Sequence, residues 1–158
     1  VGNSSVWLRT AAGASSGSRD DPVANFYFGG FGNNYVDSRS VKRYREWDSF
    51  PGFGINELSG LSYVRPMVEW NLPPIASERA GTPAFHLSWV RPAVFVSALR
   101  PDPERPAPRQ DYANAGLQFG LRFSVLHWYD MTLSAGYAVG FREGRHAGDE
   151  WMVSLKIM

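Results

Sequence analysis

Apolar and polar residues alternate along much of this chain with a period of two, the signature of strands rather than helices. Between 112 and 125, Ala113, Ala115, Leu117, Phe119, Leu121, Phe123 and Val125 share one face, and Asn114, Gly116, Gln118, Gly120, Arg122 and Ser124 the other. The pattern returns at 131–141, with Leu133, Tyr137 and Val139 opposite Thr132, Ser134 and Gly140, and again at 151–158. Three such runs in succession predict antiparallel hairpins. Weaker alternation predicts strands over 6–14, 25–31, 60–72 and 85–99, about seven in all. Pro66 lies inside one of them and predicts a disturbed ladder. In 85–99, Trp89 and Phe95 share a face with Arg91, so the faces of that strand stay unassigned.

The connections differ in kind. Residues 32–59 show no helical periodicity, and so long an excursion is rare in a compact domain and usually functional. Arg100–Asp111 and Arg142–Asp149 are charged and predict exposed loops, whereas 126–130 is short. Trp70, Trp128 and Tyr129 gather at the shorter-turn end. Periodicity cannot say whether the apolar face fills a soluble β-sandwich or meets lipid. Long loops at one end, shorter turns at the other and an aromatic belt are the pattern of a transmembrane β-barrel, despite rather long turns at 15–22 and 73–83.

Composition narrows the chemistry. The 158 residues carry 16 Lys and Arg against 15 Asp and Glu, so no strong field points to nucleic acid. No apolar run approaches the ~20 residues of a spanning helix, and Cys is absent. His86, His127 and His146 fall on separate elements, so no metal site or cofactor is expected. Gly13-Ala14-Ser15-Ser16-Gly17 fits a nucleophile elbow, but a turn follows where that motif needs a helix. No enzyme is expected. Lys42-Arg43-Tyr44-Arg45-Glu46-Trp47 reads as the polar stem of the long loop rather than an anion-binding patch. Arg65, Glu69, Arg122 and Lys156 fall on polar strand faces, where they predict a charged network that docks the loop.

Three features carry a family resemblance: Phe28-Gly29-Gly30 closing a strand, Phe50-Pro51-Gly52-Phe53 inside the long loop, and Glu69-Trp70-Asn71-Leu72-Pro73 closing the next strand. Together they resemble the BamA-type outer-membrane insertase superfamily, the bacterial surface antigen family, and most of all a subgroup in which a propeller precedes the barrel. The family's loop-motif arginine aligns with Pro51, with Arg43 and Arg45 a turn upstream, and the chain ends on Met158 where the family ends on an aromatic.

The resemblance implies an all-β fold: an antiparallel transmembrane β-barrel, of which residues 1–158 form the C-terminal part in a larger barrel of about 16 strands. Even small barrels need about eight strands and fill their interior with side chains, so the remaining strands are expected upstream of Val1. The loop at 32–59 is expected to fold inward. Its tip, Phe50 to Phe53, should lie near the third to fifth strands, and Arg43, Arg45, Arg65, Glu69 and Arg122 should form the lumen network. The implied function is assembly or export of polypeptides at the bacterial outer membrane, with lipid, polypeptide substrates or accessory envelope proteins as partners and no nucleic acid. A structural anchor or passive pore for an attached soluble domain, and a soluble β-sandwich binding protein, are the alternatives.

Overall fold

The computed structural model describes residues 3–31, 42–76, 81–82, 84–105, 110–126 and 128–157. Its strands, in chain order, are β1 (Ser5–Ala14), β2 (Phe26–Phe28), β3 (Leu58–Gly60), β4 (Ser62–Asn71), β5 (Ile75–Ala76), β6 (Gly81–Thr82), β7 (Phe85–Pro101), β8 (Tyr112–Val125), β9 (Tyr129–Arg142) and β10 (Arg145–Ile157). No α-helix occurs among the described residues; two 3-10 turns cover Pro22–Ala24 and Arg43–Arg45. The protein is all-β and its sheets are antiparallel.

One eight-stranded sheet forms a wall in the order β1-β4-β7-β8-β9-β10, with β5 and β6 extending the β4 side of β7. β8 and β9 pair over their whole length, from Tyr112↔Arg142 to Val125↔Tyr129. The sheet does not close: among the described residues β1 and β10 each lack a strand on their outer side. The top of the wall is the end at which the long excursion leaves β1 and rejoins β4. At Pro66 the pairing with β1 continues, but the β4–β7 ladder has no paired positions at Arg65 and Pro66. That interruption is what a residue without an N–H should cause.

Two sequence expectations need correction. Residues 25–31 do not form a wall strand. Only Phe26–Phe28 is extended, and it pairs with β3 in a separate small sheet over the inner surface. The segment Phe26-Tyr27-Phe28 has no polar face to offer a wall, and Gly29 and Gly30 end it at φ 150° and 69°. β1 therefore pairs directly with β4, and everything from 15 to 61 is one insertion between neighbouring wall strands. Nor is 142–149 a loop. β9 and β10 are joined by Glu143 and Gly144 at φ 52° and 76°, a two-residue turn whose left-handed residues match strand twist. A bulge between His146 and Gly148 takes up the irregularity.

The wall's two faces are unlike. Along β4, Tyr63, Arg65, Met67, Glu69 and Asn71 are buried while Val64, Pro66, Val68 and Trp70 are exposed. β7 resolves in the same sense: Ala93, Phe95, Ser97 and Leu99 point inward, Val94 and Val96 outward. The described residues of the insertion, in β2, β3 and 42–57, lie on the inner face. One buried cluster joins Phe28, Phe50, Phe53 and Leu58 of the insertion to Tyr63, Leu99 and Tyr112 of the wall. Another joins Phe31 and Tyr44 to Met67, Phe95, Ala138 and Met152.

Candidate functional site

The site is the seam between the inward-folded insertion and the wall. Tyr44, in the short 3-10 turn, is fully buried and stacks on Phe95 with ring centroids 4.0 Å apart at 12°. Offset stacking of this kind adds about 0.5–1.5 kcal/mol to the burial of two large rings. Higher up, Phe26 and Phe28 meet Tyr63 at 5.0 and 4.8 Å, and Trp47 lies 6.0 Å from the same ring.

Between these aromatic contacts the wall supplies charge. Arg65 sits on the inner face of β4, almost completely buried. Its guanidinium donates to the carbonyl oxygens of Tyr44 (2.9 Å), Trp47 (3.0 Å) and Glu46. These carbonyls lie in and just after a 3-10 turn; that of Glu46 also accepts from the Ser49 N–H at 3.2 Å, and one forked donor ties all three to the wall. Four residues along β4 on the same face, Glu69 is 0 % exposed. It accepts from Arg45 Nε at 2.7 Å, from Arg45 Nη2 and from Lys42 Nζ at 3.1 Å, while Arg9 of β1 lies 3.8 Å away. Lys42 also donates to Asn71 Oδ1. Burial pulls the Lys42 ammonium below its ordinary pKa, against the opposing pull of Glu69. A buried carboxylate persists in such a place only when cations and hydrogen bonds compensate its lost hydration.

The tip is held by backbone contacts. Asn114 of β8 donates to the Pro51 carbonyl at 2.8 Å, and Ser97 donates to Asn114 at 2.5 Å, fixing its amide. Glu150 of β10 accepts from the backbone N–H groups of Gly52 and Phe31, both at 3.1 Å. Gly52, at φ 92°, lies so close to β9 that a Cβ there would stand 2.4 Å from the Gly140 nitrogen. Gly29 is equally constrained: a Cβ would meet the Gly54 carbonyl oxygen at 1.9 Å. Both positions need glycine for φ and for space. At the top, Asp102 accepts from the N–H groups of Leu61 (2.8 Å) and Ser62 (3.2 Å) and from Arg19. Burial pushes the Asp102 carboxyl up, but the N–H of Ser62, Arg19 and the N–H of Leu61 outweigh it and hold the carboxyl below the usual range.

Of the residues singled out in the sequence, Phe50, Pro51, Gly52, Phe53, Arg45, Arg65, Glu69, Gly29 and Gly30 all meet in this seam. Gly30 pairs with Phe50 in a single bridge. The backbone of Arg43 belongs to the 3-10 turn, but its side chain, like residues 32–41, His127 and Met158, lies outside the described set. Among the described residues Arg122 forms no ion pair with the insertion. It pairs with Asp130 at 3.0 Å near the lower turn, where Ser124 also donates to that carboxylate. The tip packs on the expected strands, through Tyr63 of β4, Leu99 of β7 and Tyr112 and Asn114 of β8, and also reaches Gly140 of β9 and Glu150 of β10. Among the described residues no group of His, Asp and Glu could hold a metal.

The sequence reading missed Arg9, Asn114, Asp102 and Glu150. Glu150 was within reach, since the alternation of Met152, Ser154 and Lys156 extended upstream puts it on the inner face. Asp102 was not, because its role depends on two amides forty positions away. Comparison with protein-family models, with curated proteins and with solved structures finds no match for this chain.

Proposed function

We propose that this sheet is a sector of the wall of a bacterial outer-membrane β-barrel of the surface-antigen type, with the docked insertion as its plug, and that the barrel assembles or exports polypeptides. One observation carries the reading: the apolar face of the wall is the exposed one. Val6, Leu8, Val68, Trp70, Val96, Phe119, Val153 and Leu155 all lie open, Val153 at 75 % exposure, while Arg65, Glu69, Asn114 and Gln118 are buried on the other face. Soluble monomers rarely leave so extended an apolar surface uncovered. A barrel wall requires it, apolar outward and polar inward.

Three further features support the same reading. β7, β8, β9 and β10 run 17, 14, 14 and 13 residues, more than the ~9–11 needed to cross a bilayer as tilted strands. Trp70, Trp128 and Tyr129 are exposed together at the lower end, where an interfacial belt would sit. The free sides of β1 and β10 offer edges for the further strands that closure demands. The polypeptide-handling role rests on the family resemblance of the Gly-Gly, loop-tip and Glu-Trp-Asn-Leu-Pro features; no catalytic chemistry is part of it.

Envelope fractionation with gel migration before and after heating tests the location. Recovery in the outer membrane with faster migration when unheated is expected; a water-soluble protein without detergent would end the reading. Restoration of barrel assembly in depleted membranes then separates an insertase from a passive anchor, which would sit in the membrane and restore nothing.

A further inference from the structure

The tip of the insertion is seated where β9 and β10 leave room for backbone. Gly140 of β9 and Gly148 of β10 stand directly opposite each other, beside the bulge between His146 and Gly148. A Cβ on Gly140 would lie 2.5 Å from the Gly52 carbonyl oxygen, and one on Gly148 would lie 3.1 Å from the same atom. The paired glycines therefore form a saddle that side chains would close, and Gly52 fills it. Two residues farther along β10, Glu150 rises from the inner face. Each of its carboxylate oxygens takes one N–H, Oε1 from Phe31 and Oε2 from Gly52, both at 3.1 Å. Met152, next on that face, packs in one buried cluster with Phe31 and Tyr44.

The two limbs that Glu150 grips are already one unit. Gly30 and Phe50 pair in a bridge. The Gly30 N–H donates to the Phe53 carbonyl at 3.0 Å, the Gly29 N–H to the Asp48 carbonyl at 3.2 Å, and Ser49 Oγ to the Gly30 carbonyl at 3.0 Å. A displacement of 29–31 carries 48–53 with it. On the wall side the strands are unequal. β8 and β9 are bonded to neighbours along both edges, whereas β10 is bonded to β9 alone among the described residues. A strand held along one edge opens at lower cost than one held along two. Contacts across its face therefore weigh more in β10 than in β8 or β9.

We infer that Glu150 is a latch that couples the docked tip to β10: the seated tip fixes this strand, and β10 in its native register holds the tip. Coupling between two sites is reciprocal. Whatever lifts the tip loosens β10, and whatever stiffens β10 keeps the tip down. The latch goes beyond the barrel reading and does not depend on it, because its contacts are the same whether the outer face meets lipid or water.

Amide hydrogen exchange of the purified full-length protein, read by mass spectrometry on peptides covering 48–54, β4 and β10, tests it. Glu150→Ala should speed exchange about fivefold or more in both 48–54 and β10, while β4, bonded along both edges, stays protected. Asn114→Ala removes the other side-chain grip on the tip, at the Pro51 carbonyl, from a position two strands away from β10. It should speed exchange in 48–54 and, through the latch, in β10. Added to Glu150→Ala, it should change β10 no further, since the link is already cut. Unchanged exchange of β10 in either single variant, or acceleration spread equally over β4 and β10, would overturn the inference. Should Glu150→Ala fail to fold, Asn114→Ala decides alone.

Discussion

The outer and inner faces of the wall are made by alternate residues of the same strands, yet they solve opposite problems. Outside, Val64, Val68, Val94, Val96, Leu117 and Phe119 present a surface with no partner in the described chain. Inside, residues of the same strands bury Arg65, Glu69, Asn114 and Gln118, each against the insertion or the polar side chains around it. In a water-soluble sheet the assignment would be reversed, because burying apolar area is the main favourable term. Here the polar face is buried because the insertion brings donors and acceptors to it, and the apolar face stays exposed. The contrast teaches that burial alone does not identify a core; what a face is buried against does.

The strongest way to break this contrast is to place a charge on each face. Val153→Arg, at an outer position open to 75 %, should cost ~2–4 kcal/mol of assembly if that surface meets lipid. Gly120→Glu, inside, has the Trp89 ring at 3.5 Å and the Arg91 carbonyl oxygen at 3.9 Å from its Cβ, and lines the same hollow as Arg91 and Arg122. It should be tolerated. Yield of folded protein in the outer membrane reads both, and equal yields would show that the outer face contacts water, where an exposed Arg is nearly neutral.

The inner face yields a smaller effect. Glu69→Gln keeps the shape of the side chain but removes the charge that holds Lys42 and Arg45. Breaking a buried ion pair costs ~3–5 kcal/mol, and here about 2–3 is expected because both cations keep some contact with solvent. The insertion should loosen while the wall persists, so limited proteolysis should cut within 42–61 in the variant and spare the parent. Cutting at the same rate in both would mean that the aromatic contacts hold the insertion unaided.

The smallest effect should come from Asp102 at the top of the seam. Its carboxyl is held below the ordinary range, so its contribution is present above the unfolded value of about 3.9 and is lost as pH falls through the lower folded value. Proteolytic opening of the Arg19 turn should therefore be flat from neutral pH to about 4 and rise below it. Asp102→Asn should remove that step. A rise already complete at pH 6 would point to another group.

Taken alone, the sequence determined β8, β9 and the second half of β10, the division of β4 into an apolar and a polar face, and the placing of Glu69, Arg65 and the Phe50–Phe53 tip in one argument. Those properties are local or periodic, and a period of two is written directly in residue order. It determined less where pairing is non-local. Phe26-Tyr27-Phe28 has the composition of a strand, but only the tertiary structure shows that it pairs with Leu58–Gly60 and not with the wall. Arg122 has the right parity for the loop network, yet depth along the strand, which parity does not encode, puts it beside Asp130. Glu143-Gly144 makes a turn because both residues take left-handed φ, a choice fixed by the register of the strands on either side. Glu150 and Asn114 matter because a segment 98 and 63 residues distant brings Gly52 and Pro51 within hydrogen-bond reach. Periodicity assigns a residue to a face; only the fold decides what stands opposite it.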